Sequence, residues 1–128
     1  MKKFVVGVDV GGSKVLCGLF DDQMRLVRVI QRPTDRELPP EQMMDALEAH
    51  IRELLRGAGI AADELRGVGA AFPSHVDFAE GVLIETADLY QLNDVPVREM
   101  LEKRLGVPVY IDNDSNAAAL AEHRLGAG

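Results

Sequence analysis

The sequence carries a single cysteine, Cys17, in 128 residues. An internal disulfide is excluded, and a thiol inside an apolar run reads as a small buried hydrophobe. Metal-ligand spacing is lacking as well: His50, His75 and His123 form no ligand pattern with Cys17. Basic residues are few, 14 Lys and Arg against 21 Asp and Glu, and they do not cluster. The net charge of −7 argues against nucleic acid or an anionic membrane as partner. No apolar run approaches the ~20 residues of a membrane span. Met1-Lys2-Lys3 and the short apolar run after it do not make a signal peptide, because Asp9 and Gly11-Gly12 interrupt the run too early. The expected compartment is the cytoplasm. Internal repeats and low-complexity tracts are absent, and so are the Walker loop and the GxGxxG fingerprint.

What is present is the composition of an ordinary globular domain, 47% hydrophobic and 27% charged, long enough for one real core. The chain is organised around Phe4-Val-Val-Gly-Val-Asp-Val-Gly-Gly-Ser-Lys-Val-Leu16. Its first half is apolar on both faces, as in a buried strand, and ends in one carboxylate, Asp9. Gly11-Gly12 between two strand-like runs predicts a hairpin turn. Such a turn leaves backbone N–H groups uncovered, and with Ser13 and Lys14 they form a candidate cradle for phosphate oxygens. Asp9 can sit near phosphates only with a cation or ordered water between. The competing reading is plain: most Gly-Gly hairpins bind nothing, and Asp is common beside turns.

The pattern then predicts strand two over Lys14–Phe20, a turn at Asp21-Asp22-Gln23, and strand three from Met24 to about Arg32 with an exposed face or an edge position. These three strands must be antiparallel. Pro33 to Pro40, with three prolines, reads as a linker. Pro39-Pro40 starts a helix whose buried face is Met43, Met44, Leu47, Ile51, Leu54, Leu55 and Ala58, ended by Gly57 and Gly59. Leu65 to Phe72 is strand four, parallel to the first through a crossover. A hairpin hangs on its end, with Ser74-His75-Val76-Asp77 on one side and Val82-Leu83-Ile84 on the other. Residues 88–94 read as loop. A second helix starts at Pro96 and ends at Gly106, and Val107–Ile111 is a fifth strand, with Pro108 suited to an edge or early position. An alanine-rich helix over Asn116–Arg124 closes the chain.

Asp112-Asn113-Asp114-Ser115 falls where that fifth strand ends and the last helix begins. These residue types are favoured helix caps. They also lie where ligands bind in open α/β sheets, at the carboxyl ends of the strands. Neighbouring residues can divide the two tasks.

This order of elements resembles the ribonuclease-H-like core of the actin and sugar-kinase superfamily: an α/β domain with a five-stranded mixed sheet and flanking helices. Within it, Val8-Asp-Val-Gly-Gly-Ser-Lys14, Gly67-Val-Gly-Ala-Ala-Phe-Pro73, Gly106-Val-Pro-Val-Tyr-Ile-Asp-Asn-Asp-Ser-Asn-Ala-Ala-Ala-Leu-Ala-Glu122 and Leu125-Gly-Ala127 resemble the ROK family (repressor, ORF, kinase). That resemblance implies ATP-dependent phosphorylation of a hexose or amino-sugar hydroxyl with Mg²⁺. It implies Asp114 as the catalytic base, Asn113 on sugar hydroxyls, and Asp9, Gly11, Gly12, Ser13 and Lys14 around the nucleotide phosphates, with Asp9 reaching Mg²⁺ through water. Ser74 and His75 then fall on the sugar side. There the family usually has Pro-Gly where this chain has Pro73-Ser74, and often Asn-Leu-Pro-Gly-Trp where it has Asp88-Leu-Tyr-Gln-Leu92. These departures bear on which sugar is used. His75 also reads simply as an exposed loop residue.

Family members are longer, with a second domain that holds most of the nucleotide. The expectation is that residues 1–128 are the amino-terminal actin-like ATPase domain of a longer kinase, inactive alone. Any zinc site of a longer parent would use ligands outside this sequence. The expected partners are sugar and nucleotide, with homodimerisation left open. The competing function is a non-catalytic, sugar-sensing regulator of the same family. Regulators carry a helix-turn-helix ahead of the Asp-x-Gly-Gly turn, and here eight residues precede Asp9.

Overall fold

The computed structural model describes residues 3–72, 74–77, 82–86 and 94–112, and for 74–77, 82–86 and Asp112 the backbone alone. Strands β1 (Phe4–Val10), β2 (Lys14–Phe20) and β3 (Leu26–Pro33) form the antiparallel meander that the tight turns predict. Helix α1 (Pro40–Gly57) carries the chain to β4 (Leu65–Ala71), which pairs parallel with β1. A hairpin of β5 (Ser74–Asp77) and β6 (Val82–Thr86) follows as a separate two-stranded sheet. Helix α2 (Val97–Leu105) leads into β7 (Val109–Asp112), parallel to β4. The main sheet has the order β3-β2-β1-β4-β7. It is the five-stranded mixed sheet expected, with β3 and β7 at its edges.

Both helices share one face of the sheet. Helix α1 lies against β2 and β3, α2 lies against β7, and the helices touch each other. Side chains alternate along a strand, so Val6, Val8 and Val10 of β1 point to the helices, as do Val15, Cys17 and Leu19 of β2. They meet Met43, Met44, Leu47, Ile51, Leu54 and Leu55, the predicted stripe of α1, all buried. Each such side chain contributes roughly 1.5–3 kcal/mol by leaving water. Cys17 lies within this core, and burial pushes its thiol up to about 12. Pro39 precedes α1 with extended backbone and Pro40 opens it, where a missing N–H is harmless.

The structure corrects five details. Strand β3 begins at Leu26, because the turn before it is larger than the pattern suggested. The Asp21 carboxylate accepts hydrogen bonds from the Gln23 and Arg25 N–H groups, both at 2.9 Å, and from Arg25 Nε at 2.9 Å. Met24 takes a left-handed φ of 61° inside that turn. At the other end β3 includes Pro33, so the proline segment is not wholly a linker. Gly57 is the last residue of α1 rather than a stop: a side chain there would strike the Arg28 guanidinium. Gly59, at φ 71°, turns the chain away. A 3₁₀ turn at Ala62–Glu64, unforeseen in the sequence, precedes β4, and Glu64 Oε2 accepts the Ala61 N–H at 2.9 Å. Finally, Val107 and Pro108 precede β7, and Pro108 contributes its carbonyl to the Val68 N–H at 3.0 Å. The alanine-rich helix expected over 116–124 lies outside the described residues.

Edge strand β3 is exposed on the face away from α1 at Leu26 and Val29, and at the bulged residue Val27. The reading of an exposed face or an edge position holds in both senses. On its inner face, Arg32 forms a two-pronged ion pair with Glu53 of α1, Nε to Oε1 at 3.1 Å and Nη2 to Oε2. That pair pins the end of β3 to the helix.

Candidate functional site

The last paired residues of the first hairpin are Val10 and Val15. Between them the backbone turns sharply: the Gly11 N–H donates to the Lys14 carbonyl at 2.8 Å. A Cβ on Gly11 would stand 3.0 Å from that same carbonyl oxygen, tighter than ordinary contact, which accounts for glycine there. A second anchor comes from beyond β3. The Thr34 hydroxyl donates to the Gly11 carbonyl at 3.0 Å, and the Thr34 N–H donates to the Ser13 carbonyl at 3.0 Å. The carbonyls of residues 11, 13 and 14 are thus all engaged. Among the described residues the N–H groups of Gly12 and Ser13 have no acceptor. Ser13 and Lys14 are exposed beside them. The loop presents donors and one cation outward, an arrangement suited to anionic oxygens.

Asp9 alternates with the core residues Val8 and Val10, so it lies on the sheet face away from the helices. Leu16 and Ala71 flank it in register on β2 and β4, and Asp112 is in register with Ala71 on β7. Two strand spacings, about 10 Å, separate the backbones of Asp9 and Asp112. Strands β1, β4 and β7 are parallel, so their carboxyl ends gather at one end of the sheet with the loop. Burial raises the Asp9 carboxyl above its ordinary value, and the Lys14 amine partly offsets that. A carboxylate in this position gains from a cation. One carboxylate with phosphate oxygens and water suits Mg²⁺, which keeps much of its hydration. Among the described residues no group of three or more His, Cys, Asp or Glu is arranged to hold a metal by itself.

Of the candidate residues, the structure therefore brings Asp9, Gly11, Gly12, Ser13 and Lys14 to one place. The backbone of Ser74 and His75 starts β5 three residues past Ala71, at the same sheet end. Asn113 and Asp114 lie outside the described residues; they follow Asp112 in sequence. Thr34 was missed. The only signal available was a hydroxyl directly after a proline at a strand end, and 23 residues separate it from Gly11.

The sheet and its helices define an α/β domain of the actin and sugar-kinase fold. The sequence pattern of the ROK family matches residues 5–128, and the chain belongs to that family. It is 31% identical over 123 residues to the glucokinase of Streptomyces coelicolor, an alignment covering 96% of this chain and 36% of that enzyme. Relatives named as N-acetyl-D-glucosamine kinase, N-acetylmannosamine kinase and putative xylose repressor also match. Among solved structures, a ROK hexokinase from Thermus thermophilus superposes with a TM-score of 0.78 at 37% identity, over 94% of this chain and 38% of that one. A ROK glucokinase from Streptomyces griseus in complex with glucose and AMPPNP gives 0.76 at 28%, over 96% of this chain and 37% of that one. The chain spans a little over a third of the length of these relatives.

Proposed function

We propose that this chain is the amino-terminal domain of a sugar kinase that transfers the γ-phosphate of ATP to a hydroxyl of a hexose or amino sugar. The observation that carries the reading is the braced loop at the carboxyl ends of β1, β4 and β7 in a chain of the ROK family. Phosphoryl transfer asks little covalent chemistry of the protein and depends on positioning and charge neutralisation. Gly12 and Ser13 N–H groups, the Ser13 hydroxyl and the Lys14 amine hold phosphate oxygens. Asp9 would hold Mg²⁺ through water, and the ion would supply charge neutralisation at the phosphates. Asp114 takes the proton from the sugar hydroxyl as that oxygen attacks the γ-phosphorus in line and ADP departs. Asn113, Ser74 and His75 contact sugar hydroxyls. The glucose and AMPPNP held by the Streptomyces griseus relative support these two substrate classes. The protein works in the cytoplasm, where ATP is supplied.

The test is ATP-dependent phosphorylation across a sugar panel by the whole protein, with Asp114→Asn alongside. One sugar should turn over, and Asp114→Asn should lower kcat by about 100-fold or more. A second reading rests on the relative named as a putative xylose repressor, 34% identical over 86 residues. A protein that binds a sugar but turns none over would be a sensor of that kind, and the kinase reading would fall.

A further inference from the structure

We propose that Thr34 is the positioning residue of the phosphate loop, aiming the Gly12 N–H at the nucleotide. The inference rests on the reading of residues 9–14 as a phosphate site. Its basis is peptide geometry. In a trans peptide the C=O and the following N–H point in opposite directions from one rigid plane. The Gly11 carbonyl and the Gly12 N–H belong to the same plane. The Thr34 hydroxyl, 3.0 Å from the Gly11 oxygen, draws that carbonyl toward the end of β3. The Gly12 N–H, on the other side of that plane, is thereby turned away from β3. Glycine lacks a Cβ to restrict this plane, so an external partner must fix it.

Thr34 holds the loop on both sides of Gly12, since its own N–H donates to the Ser13 carbonyl at 3.0 Å. Its position is firm for a reason on the same side of the strand. Two residues earlier, Arg32 is clasped by Glu53 of α1 and also donates Nη1 to the Gln31 carbonyl at 2.8 Å. A line of hydrogen bonds and backbone runs from α1 through Arg32, by way of Pro33, to Thr34 and the loop. Oriented donors that need no rearrangement when the anion arrives are what makes such a site effective. Thr34 touches no phosphate itself; it acts through Gly11 and Gly12.

The experiment compares Thr34→Val, Thr34→Ser and Lys14→Ala in the whole protein. Thr34→Val keeps the shape and the backbone N–H and removes only the hydroxyl donor. The readouts are the Kd for Mg-ATP by calorimetry, the KM for sugar and the melting temperature. Thr34→Val should raise the Kd for Mg-ATP about tenfold, the effect of one oriented hydrogen bond in a site of charge. The sugar KM should stay put, and Thr34→Ser should restore the wild-type Kd. An unchanged Kd in Thr34→Val with a raised one in Lys14→Ala would overturn the role of Thr34 while leaving the phosphate site intact. A fall in melting temperature with both constants moving together, unrescued by serine, would reduce Thr34 to a structural residue and overturn the proposal. An unchanged Kd in Lys14→Ala as well would remove the phosphate site and the proposal with it.

Discussion

Asp9 and Asp21 close two ends of the same hairpin sheet, and their carboxyl groups are displaced in opposite directions. Burial raises Asp9, with Lys14 as a partial offset. Asp21 is lowered, first by the Arg25 N–H, with further help from the Gln23 N–H and the Arg25 side chain. The consequences for stability have opposite signs. For Asp9 the folded pKa lies above the unfolded one, so the native state loses stability as pH rises through that interval. For Asp21 the folded pKa lies below, so a stabilising contribution is present above the ordinary carboxylate range and is lost as pH falls through the depressed value. A series of melts between pH 3 and pH 7 on Asp9→Asn and Asp21→Asn without ligand reads both. Asp9→Asn should raise the melting temperature at pH 7 by about 2 °C and abolish the gain at low pH. Asp21→Asn should lower it at pH 7 and converge with wild type in acid. A loss at pH 7 in Asp9→Asn would show that the carboxylate stabilises the unliganded fold. A residue that costs the empty protein stability is one kept for what it binds.

At the scale of elements, helix α1 holds the molecule together. Leu47 and Ile51 are each 1% exposed and lie one turn apart, in the core that α1 forms with the inner face of the sheet. Leu47→Ala should cost about 2–5 kcal/mol by loss of burial and the cavity left behind, read as a lower urea midpoint with unchanged slope. Gln42→Ala, at an exposed position of the same helix, should leave the midpoint alone; an equal fall there would mean that the helix face is assigned wrongly. The periodicity that placed this helix is a local signal, as are the Gly11-Gly12 turn and the β-branched run of β1. Such features were legible because each depends on residues close in sequence. The start of β3 was not, since it hangs on three donors converging on the Asp21 carboxylate. Nor was the role of Thr34, because its bond to Gly11 spans 23 residues and no spacing rule encodes it. Within the candidate site the residue types of the loop could be read, but not which of its carbonyls are tied back.

At the scale of the molecule, Asp9 and the loop of residues 11–14 lie at the carboxyl ends of three parallel strands. The relatives it matches are nearly three times as long, as the 36% coverage of the Streptomyces coelicolor glucokinase indicates. If this chain is one domain of a longer kinase, as proposed, it supplies half of a cleft, which can bind phosphate oxygens but does not exclude water from them. The 128-residue chain by itself should therefore show no sugar phosphorylation in a coupled ADP assay at enzyme concentrations where the whole protein is fast. Turnover by this chain would show that the loop and the Asp112–Ser115 stretch suffice. Among the described residues no helix is long and apolar enough to cross a membrane.

The line of bonds from α1 to the loop also limits how the chain can change length. Val27 is a bulge: Arg28 pairs with Leu19 and Leu26 pairs with Phe20, leaving one residue of β3 over. A residue lost or gained in the Asp21–Arg25 turn can be absorbed there, because the bulge can open or close upstream of Arg28. Past the bulge the strand has no slack. One residue deleted between Arg28 and Thr34 would exchange the two faces of the strand's end, turning Arg32 out from Glu53 and carrying the hydroxyl away from Gly11. Insertions and deletions in this meander are thus tolerable on the turn side of Val27 and ruinous on the loop side, although both stretches look equally like surface edge.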